Sequence, residues 1–140
     1  MKLVIDASVL FSTIISKGKE LRGKVLDIFF HDDVELFAPA YIFSELLEHE
    51  ARIRAASGFS KVEFDAFVSV LSLSIRIVPQ IEVEKYMSRA GKLVGDPDDV
   101  PYLAAALSMK CPVWSDDPHF RKQPEVRAYS TRELSRMLFS

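Results

Sequence analysis

Three features of the sequence predict an α/β fold with a central parallel sheet. Short aliphatic runs rich in Val and Ile recur along the chain. Longer segments with helical apolar stripes separate them. The breaks between the two fall at Gly, Pro, Ser and Asp. Parallel strands need long crossover connections, usually helices, so this alternation is what a parallel sheet requires. At 140 residues, 49% apolar and 27% charged, the chain has the length and composition of one ordinary globular domain, residues 1–140.

Lys2 to Ile5 reads as a buried strand that ends at Asp6. Ser8 is placed to cap a helix through Ile15, and Gly18 with its lysine neighbours marks a break before a second helix, Glu20 to Phe30. Leu21, Val25, Ile28 and Phe29 supply the apolar stripe of that helix. Val34 to Ala38 alternates weakly and stops at Pro39, a strand feeding a helix from about Ala40 to Ala56. Gly58 closes this helix and Ser60 opens the next, where Val62, Phe64, Phe67, Val68 and Leu71 carry a helical apolar stripe.

Arg76 to Val78 is a strand ended by Pro79, and Glu82 to Val94 a helix with Tyr86, Ala90 and Leu93 inward. Gly95-Asp96-Pro97 has turn chemistry, and Asp98 or Asp99 begins a helix through Met109. Pro112 to Trp114 is a short strand running into Ser115-Asp116-Asp117. Val126 to Tyr129 is a last strand before a helix capped by Ser130 or Thr131.

The bulk numbers exclude several classes. A single cysteine, Cys111, makes neither an internal disulfide nor a structural zinc site, which fits a reducing, cytoplasmic setting. The apolar stretch after Met1 is too short for a signal peptide, and no run approaches the roughly 18 residues of a membrane span. A formal net charge of -2 gives no general basic footprint for nucleic acid.

The carboxylates carry the chemistry. Asp6 ends the first strand, and Asp116 with Asp117 ends the strand through Trp114, so both positions open onto the carboxyl edge of a parallel sheet, where ligands bind. Glu45 and the cluster Asp96, Asp98 and Asp99 fall in helix starts that lie on the same edge. For the cluster, capping and the helix dipole offer a plain structural alternative, each contact contributing about 0.3–1 kcal/mol. Several carboxylates converging in one pocket repel, and a hard divalent cation offsets that repulsion. Such ions activate water and stabilise charge on phosphate oxygens, which is phosphodiester hydrolysis without a protein nucleophile.

In this order these residues resemble the PIN-domain nuclease family, RNA-cleaving proteins that include toxins of toxin–antitoxin pairs and RNA-processing factors. Val4-Ile5-Asp6-Ala7-Ser8 is similar to the family's opening motif, Phe43-Ser44-Glu45-Leu46 to its helix-borne glutamate, and Asp96-Pro97-Asp98-Asp99 to its third acidic motif. Ser115-Asp116-Asp117 with Phe120 is similar to the fourth, with serine where the family usually has threonine; Pro101 is the other departure. The resemblance covers essentially the whole chain. It implies a three-layer α/β/α fold with a mostly parallel sheet of four to five strands.

It also implies an endoribonuclease, a hydrolase of single-stranded RNA, in which Asp6, Glu45, Asp99 and Asp117 hold Mg2+ or Mn2+ and Ser8, Ser115, Asp96 and Asp116 support them. Arg121 and Lys122 follow the fourth motif and are candidate contacts to RNA phosphates. Lys17, Lys19, Arg22 and Lys24 are placed either to touch RNA or to form a solvated helix face. None of His31, His49 and His119 is assigned to the site, although His119 follows Asp117 closely enough to contact a substrate. The apolar helices between Glu45 and Leu73 point to a homodimer, and the toxin branch of the family to an antitoxin partner. The sequence does not separate a toxin from a housekeeping RNA-processing enzyme.

Two other readings compete. A receiver-like phosphotransfer domain also gathers carboxylates around magnesium, but the late strand Val126-Arg127-Ala128-Tyr129 lacks the lysine such a site needs. A non-catalytic PIN-like module for RNA or protein binding gives no reason to tolerate four repelling carboxylates.

Overall fold

The aliphatic runs are strands because they pair with one another in a single sheet, whose central strands have neighbours on both sides and are almost wholly buried. The computed structural model describes residues 1–15 and 19–140, with side chains described outside residues 12–19. Among these residues, β1 (Lys2–Ile5), β2 (Glu35–Ala38), β3 (Ile75–Ile77), β4 (Val113–Trp114) and β5 (Ala128–Tyr129) form one sheet in the order β3-β2-β1-β4-β5. Every pairing is parallel. β1 is central, and its Leu3, Val4 and Ile5 are fully buried.

Helices fill the crossovers. α1 (Ala7–Ile15) and α2 (Lys19–Phe29) join β1 to β2; α3 (Tyr41–Glu48), α4 (Glu50–Ser57) and α5 (Lys61–Ser74) join β2 to β3. α6 (Gln80–Glu84), α7 (Met87–Leu93) and α8 (Val100–Met109) carry the chain back past β1 to β4. A 3-10 turn, Pro118–Lys122, leads to β5, and α9 (Thr131–Phe139) follows. The chain steps one way along the sheet through α1 to α5 and the other way through α6 to α8. Right-handed crossovers therefore put these two groups on opposite faces, and α9 packs against α2. The result is the expected α/β/α layering, with a fifth strand and no antiparallel edge. The direction reverses between β1 and β4, so a crevice opens at their carboxyl ends.

Local signals explain most boundaries. Gly58 closes α4 in the left-handed region at φ 77°. Ser60 and Ser130 open α5 and α9 through capping boxes with Glu63 and Glu133.

Elsewhere tertiary packing overrides pattern. The single helix expected from Ala40 to Ala56 breaks at His49, and α4 turns there to bury Ile53 beside α1. The helix expected from Glu82 to Val94 divides at Tyr86 into α6 and α7. Val62, at one end of the apolar stripe, is 77% exposed, and the buried face of α5 is carried by Phe64 and Leu71. β5 starts at Ala128 because the Gln123 side chain occupies the backbone of Val126, accepting its N–H and donating to its carbonyl. The expected break at Gly18, Lys17 beside it, and the side chain of Lys19 lie outside the described residues.

Candidate metal centre

Asp6 leaves the central strand where the sheet ends, and its carboxylate is drawn into the start of α1. The Ser8 hydroxyl and amide both donate to it, so Ser8 holds the aspartate and does not cap the helix as expected. On the other side, β1 and β4 pair through Ile5 and Trp114, which sets Ser115 beside Asp6. The fully buried Ser115 hydroxyl donates to Asp6 Oδ2 at 2.8 Å and accepts the Asp117 amide at 3.0 Å. One serine thus ties the first aspartate to the last. Burial pushes the Asp6 carboxyl above the usual range, the two serine hydroxyls pull it back, and the charge of Asp117 raises it again.

Glu45 reaches the same edge from α3 and is buried at 9% exposure. The Tyr102 hydroxyl of α8 donates to its Oε1 from inside the core. Burial raises Glu45 to about 7; the tyrosine bond lowers it, while the charges of Asp6, Asp98 and Glu48 raise it.

The cluster before α8 is sorted by geometry into three duties. Asp96 closes the turn by accepting the Asp98 amide at 2.9 Å. Asp98 is exposed and accepts the Tyr41 hydroxyl at 2.7 Å. Asp99 occupies the helix cap position without a side-chain capping bond, so the capping alternative does not account for it. Pro101 sits in the first turn of α8, where a missing N–H costs nothing.

Asp99 is 8% exposed, and among the described residues its buried Oδ2 has no hydrogen-bond partner. Burial raises its carboxyl to about 7, the charges of Asp6, Asp96 and Asp117 add to that, and His119 opposes them. A bare buried carboxylate oxygen facing other carboxylates is what a cation would satisfy, so the donor set fits a divalent ion. One donor atom each from Asp99, Asp117 and His119 falls within 4.8 Å of the others.

Asp6, Glu45, Asp99 and Asp117, which come from four separate elements, therefore interact at one edge of the sheet. Ser8 and Ser115 bond directly to one of them. Asp116 points the other way, accepting the Thr131 amide and hydroxyl, each at 2.7 Å. Arg121 pairs with Glu133 at the start of α9, whereas Lys122 lines a cleft of about 380 Å³ with Asp96 and His119. A larger cleft, about 470 Å³, opens at the opposite edge beside Pro112 and Arg127, and none of the four carboxylates lines it. Volume alone does not mark the site.

The PIN-domain family model matches residues 4–138. The chain belongs to the PIN-domain family. PIN domains are nucleases, and the acidic edge described above lies within the matched region. Among solved structures the chain resembles VapBC2 from Rickettsia felis, bound to a DNA fragment from their promoter. The TM-score is 0.65 at 8% identity, covering 93% of this chain and 98% of that one. At that identity the likeness speaks for the PIN fold alone. No curated protein sequence matches the chain.

Three residues of the site escape sequence reading. Tyr102 stands three positions after Asp99, a helix spacing that puts both on one face and could have pointed to it. Tyr41 gives no such signal, because its partner Asp98 lies 57 positions away. His119, set aside with the other histidines, faces Asp117 with Nδ1 3.3 Å from Oδ1.

Proposed function

We propose that this PIN domain, acting as one unit over residues 1–140, is a metal-dependent endoribonuclease that hydrolyses phosphodiester bonds of single-stranded RNA. The observation that carries the reading is the buried, unpartnered oxygen of Asp99 among carboxylates that raise one another's pKa. Ion-paired lysines and arginines are engaged elsewhere: Lys24 with Glu20, Lys61 with Glu50 and Asp65, Lys85 with Glu82, Arg89 with Glu125. Among the described residues these pairs lie outside the four carboxylates, whose mutual repulsion Mg2+ or Mn2+ would offset.

Asp6, Glu45, Asp99 and Asp117 would be the residues that hold it. A bound divalent ion supplies Lewis acidity to a phosphate and lowers the pKa of water near it. Ser8 and Ser115 fix the Asp6 carboxylate, Tyr102 fixes Glu45, and Lys122 stands beside the adjoining cleft, where an RNA phosphate would meet it.

The test is cleavage of a mixed-sequence single-stranded RNA with Mg2+, with Mn2+ and with EDTA, for the native protein and Asp6→Asn. Cleavage is expected with metal and is expected to vanish with EDTA and in the variant. No cleavage by the native protein with either ion would favour a non-catalytic RNA-binding module.

A protein partner is a further part of the reading. Leu10, Val25, Phe29, Phe67 and Leu71 floor an apolar groove between α1, α2 and α5, flanked by the exposed Leu26, Phe30 and Val70. This supports a homodimer or an antitoxin partner, the latter in line with the VapBC likeness. Light scattering that finds only a 15.8 kDa species at high concentration would remove the homodimer. Among the described residues no helix is long and apolar enough to cross a membrane.

A further inference from the structure

His119 stands where the acidic group meets solvent, and the chain around it fixes its place. Asp117 caps the 3-10 turn by accepting the His119 amide at Oδ1, 2.9 Å, and Pro118 sets the first backbone angle of that turn. The fully buried Phe120 anchors its far side. The imidazole is thereby held against the carboxylate, Nδ1 3.3 Å from Asp117 Oδ1, with a side chain 58% exposed. Donor atoms of Asp99, Asp117 and His119 lie within 4.8 Å of one another, and Asp99 contributes a buried oxygen that no donor among the described residues satisfies.

We propose that His119 is a metal ligand: with Asp99 and Asp117 it makes a mixed nitrogen–oxygen site that takes a borderline ion such as Zn2+ or Co2+ in preference to Mg2+. This rests on the metal-dependent nuclease reading and adds to it the choice of ion. Magnesium prefers oxygen donors in a strict octahedron and gives up water reluctantly. A neutral imidazole suits the later first-row ions, nickel, copper and zinc among them, all of which bind nitrogen donors more tightly than manganese does. One nitrogen among carboxylates is enough to tilt the site away from magnesium while leaving manganese acceptable.

His31 and His49 serve as internal controls. His31 Nδ1 accepts the Asp33 amide at 3.0 Å, and the His49 ring packs edge-on against Phe11 with centroids 5.3 Å apart. Neither belongs to the group of metal-ligating atoms.

The experiment is a nitrogen-detected magnetic resonance titration of the three imidazole rings with Zn2+ and, separately, Mg2+, alongside calorimetry on the native protein and His119→Ala. Zn2+ is expected to move the His119 ring signals and leave those of His31 and His49 in place, while Mg2+ moves none of the three. Loss of a residue that merely orients a ligand costs about 10–100-fold in metal affinity, so His119→Ala is expected to weaken Zn2+ binding at least about tenfold. Its effect on Mg2+ binding should be under about twofold. Because the side chain is largely exposed, the variant should fold, and circular dichroism checks that.

If metal moves the backbone amides of Asp6 and Asp99 but not the His119 ring, or if His119→Ala binds Zn2+ as tightly as the native chain, the ligand assignment falls and the metal reading stands. If neither ion moves those amides, both fall together.

Discussion

Asp116 and Asp117 are neighbours in sequence and leave β4 in opposite directions. Asp116 turns toward α9 and meets donors: the Thr131 amide and hydroxyl, and behind them the buried Trp114 indole, which donates to Thr131 Oγ1 at 3.0 Å. Asp117 turns toward α1 and α8, where its charge acts on Asp6 and Asp99. One carboxylate fastens the last helix to the sheet; the other joins a group whose members repel. What separates a structural aspartate from a candidate metal ligand here is the company it keeps. A carboxylate ringed by donors stabilises the fold, whereas carboxylates facing carboxylates store unfavourable charge that a cation would relieve.

The sharpest way to break this comparison is at its buried centre. Asp6→Asn keeps the size of the side chain and removes its charge, so it should lower RNA cleavage by at least about 100-fold while leaving the fold intact. Far-UV circular dichroism and a cleavage assay check both halves. A fully active, folded variant would remove Asp6 from the site.

The second test uses protons in place of metal. Burial raises Glu45 and Asp99 to about 7 from unfolded values of 4.5 and 3.8. The folded, metal-free chain thus binds more protons than the unfolded chain from about pH 4 to about pH 7, and its stability falls as pH rises through that window. Glu133, lowered chiefly by the Ser130 amide, works in the opposite sense but is largely exposed, so it contributes little. With EDTA present, the protein should be on the order of 5 kcal/mol more stable at pH 5 than at pH 8 by urea unfolding, and Asp99→Asn, which leaves Glu45 in place, should roughly halve the difference. A chain that is equally stable at both values would mean that the carboxylates do not repel as described.

The other arm of the comparison predicts a loss of stability without a loss of chemistry. Asp116→Ala strips two bonds from Thr131 at the start of α9, which should cost about 1–2 kcal/mol at this partly exposed position. The folded fraction should still cleave RNA at the native rate. A stable Asp116→Ala protein that no longer cleaves would place Asp116 in the site and erase the distinction drawn between the two aspartates.

The family resemblance singles out Asp117 and leaves Asp116 as its support, but the residues Ser115-Asp116-Asp117 do not record that Asp116 turns away to Thr131. The strand order explains what was legible: Asp6 and Asp117 follow aliphatic runs, and a parallel sheet must bring such positions to one edge. Which way each side chain turns depends on Thr131, 15 positions further on, and no local pattern records it. Tyr102 is hidden for a related reason. A tyrosine on an apolar helix face reads as core, and its bond to Glu45 spans 57 positions. The helix divisions at His49 and Tyr86 were equally invisible, because each side of the break keeps a good helical pattern and only packing selects the bend.

The smallest expected effect lies at Arg121, and it sharpens the comparison at its outer boundary. Sequence position alone makes Arg121 and Lys122 equal candidates for RNA phosphates, but the structure parts them, Arg121 to Glu133 and Lys122 to the cleft beside Asp96 and His119. An exposed ion pair contributes at most about 1 kcal/mol, and a polyanion competes with it easily, so the pairing alone does not fix the role of Arg121. Arg121→Ala should shift the unfolding midpoint only slightly. If Arg121 belongs with Asp116 on the structural side, RNA affinity should be unchanged, and Lys122→Ala alone should weaken it and flatten its salt dependence by about one phosphate contact. Equal losses of affinity in the two variants would extend the nucleic-acid surface from the cleft to the start of α9.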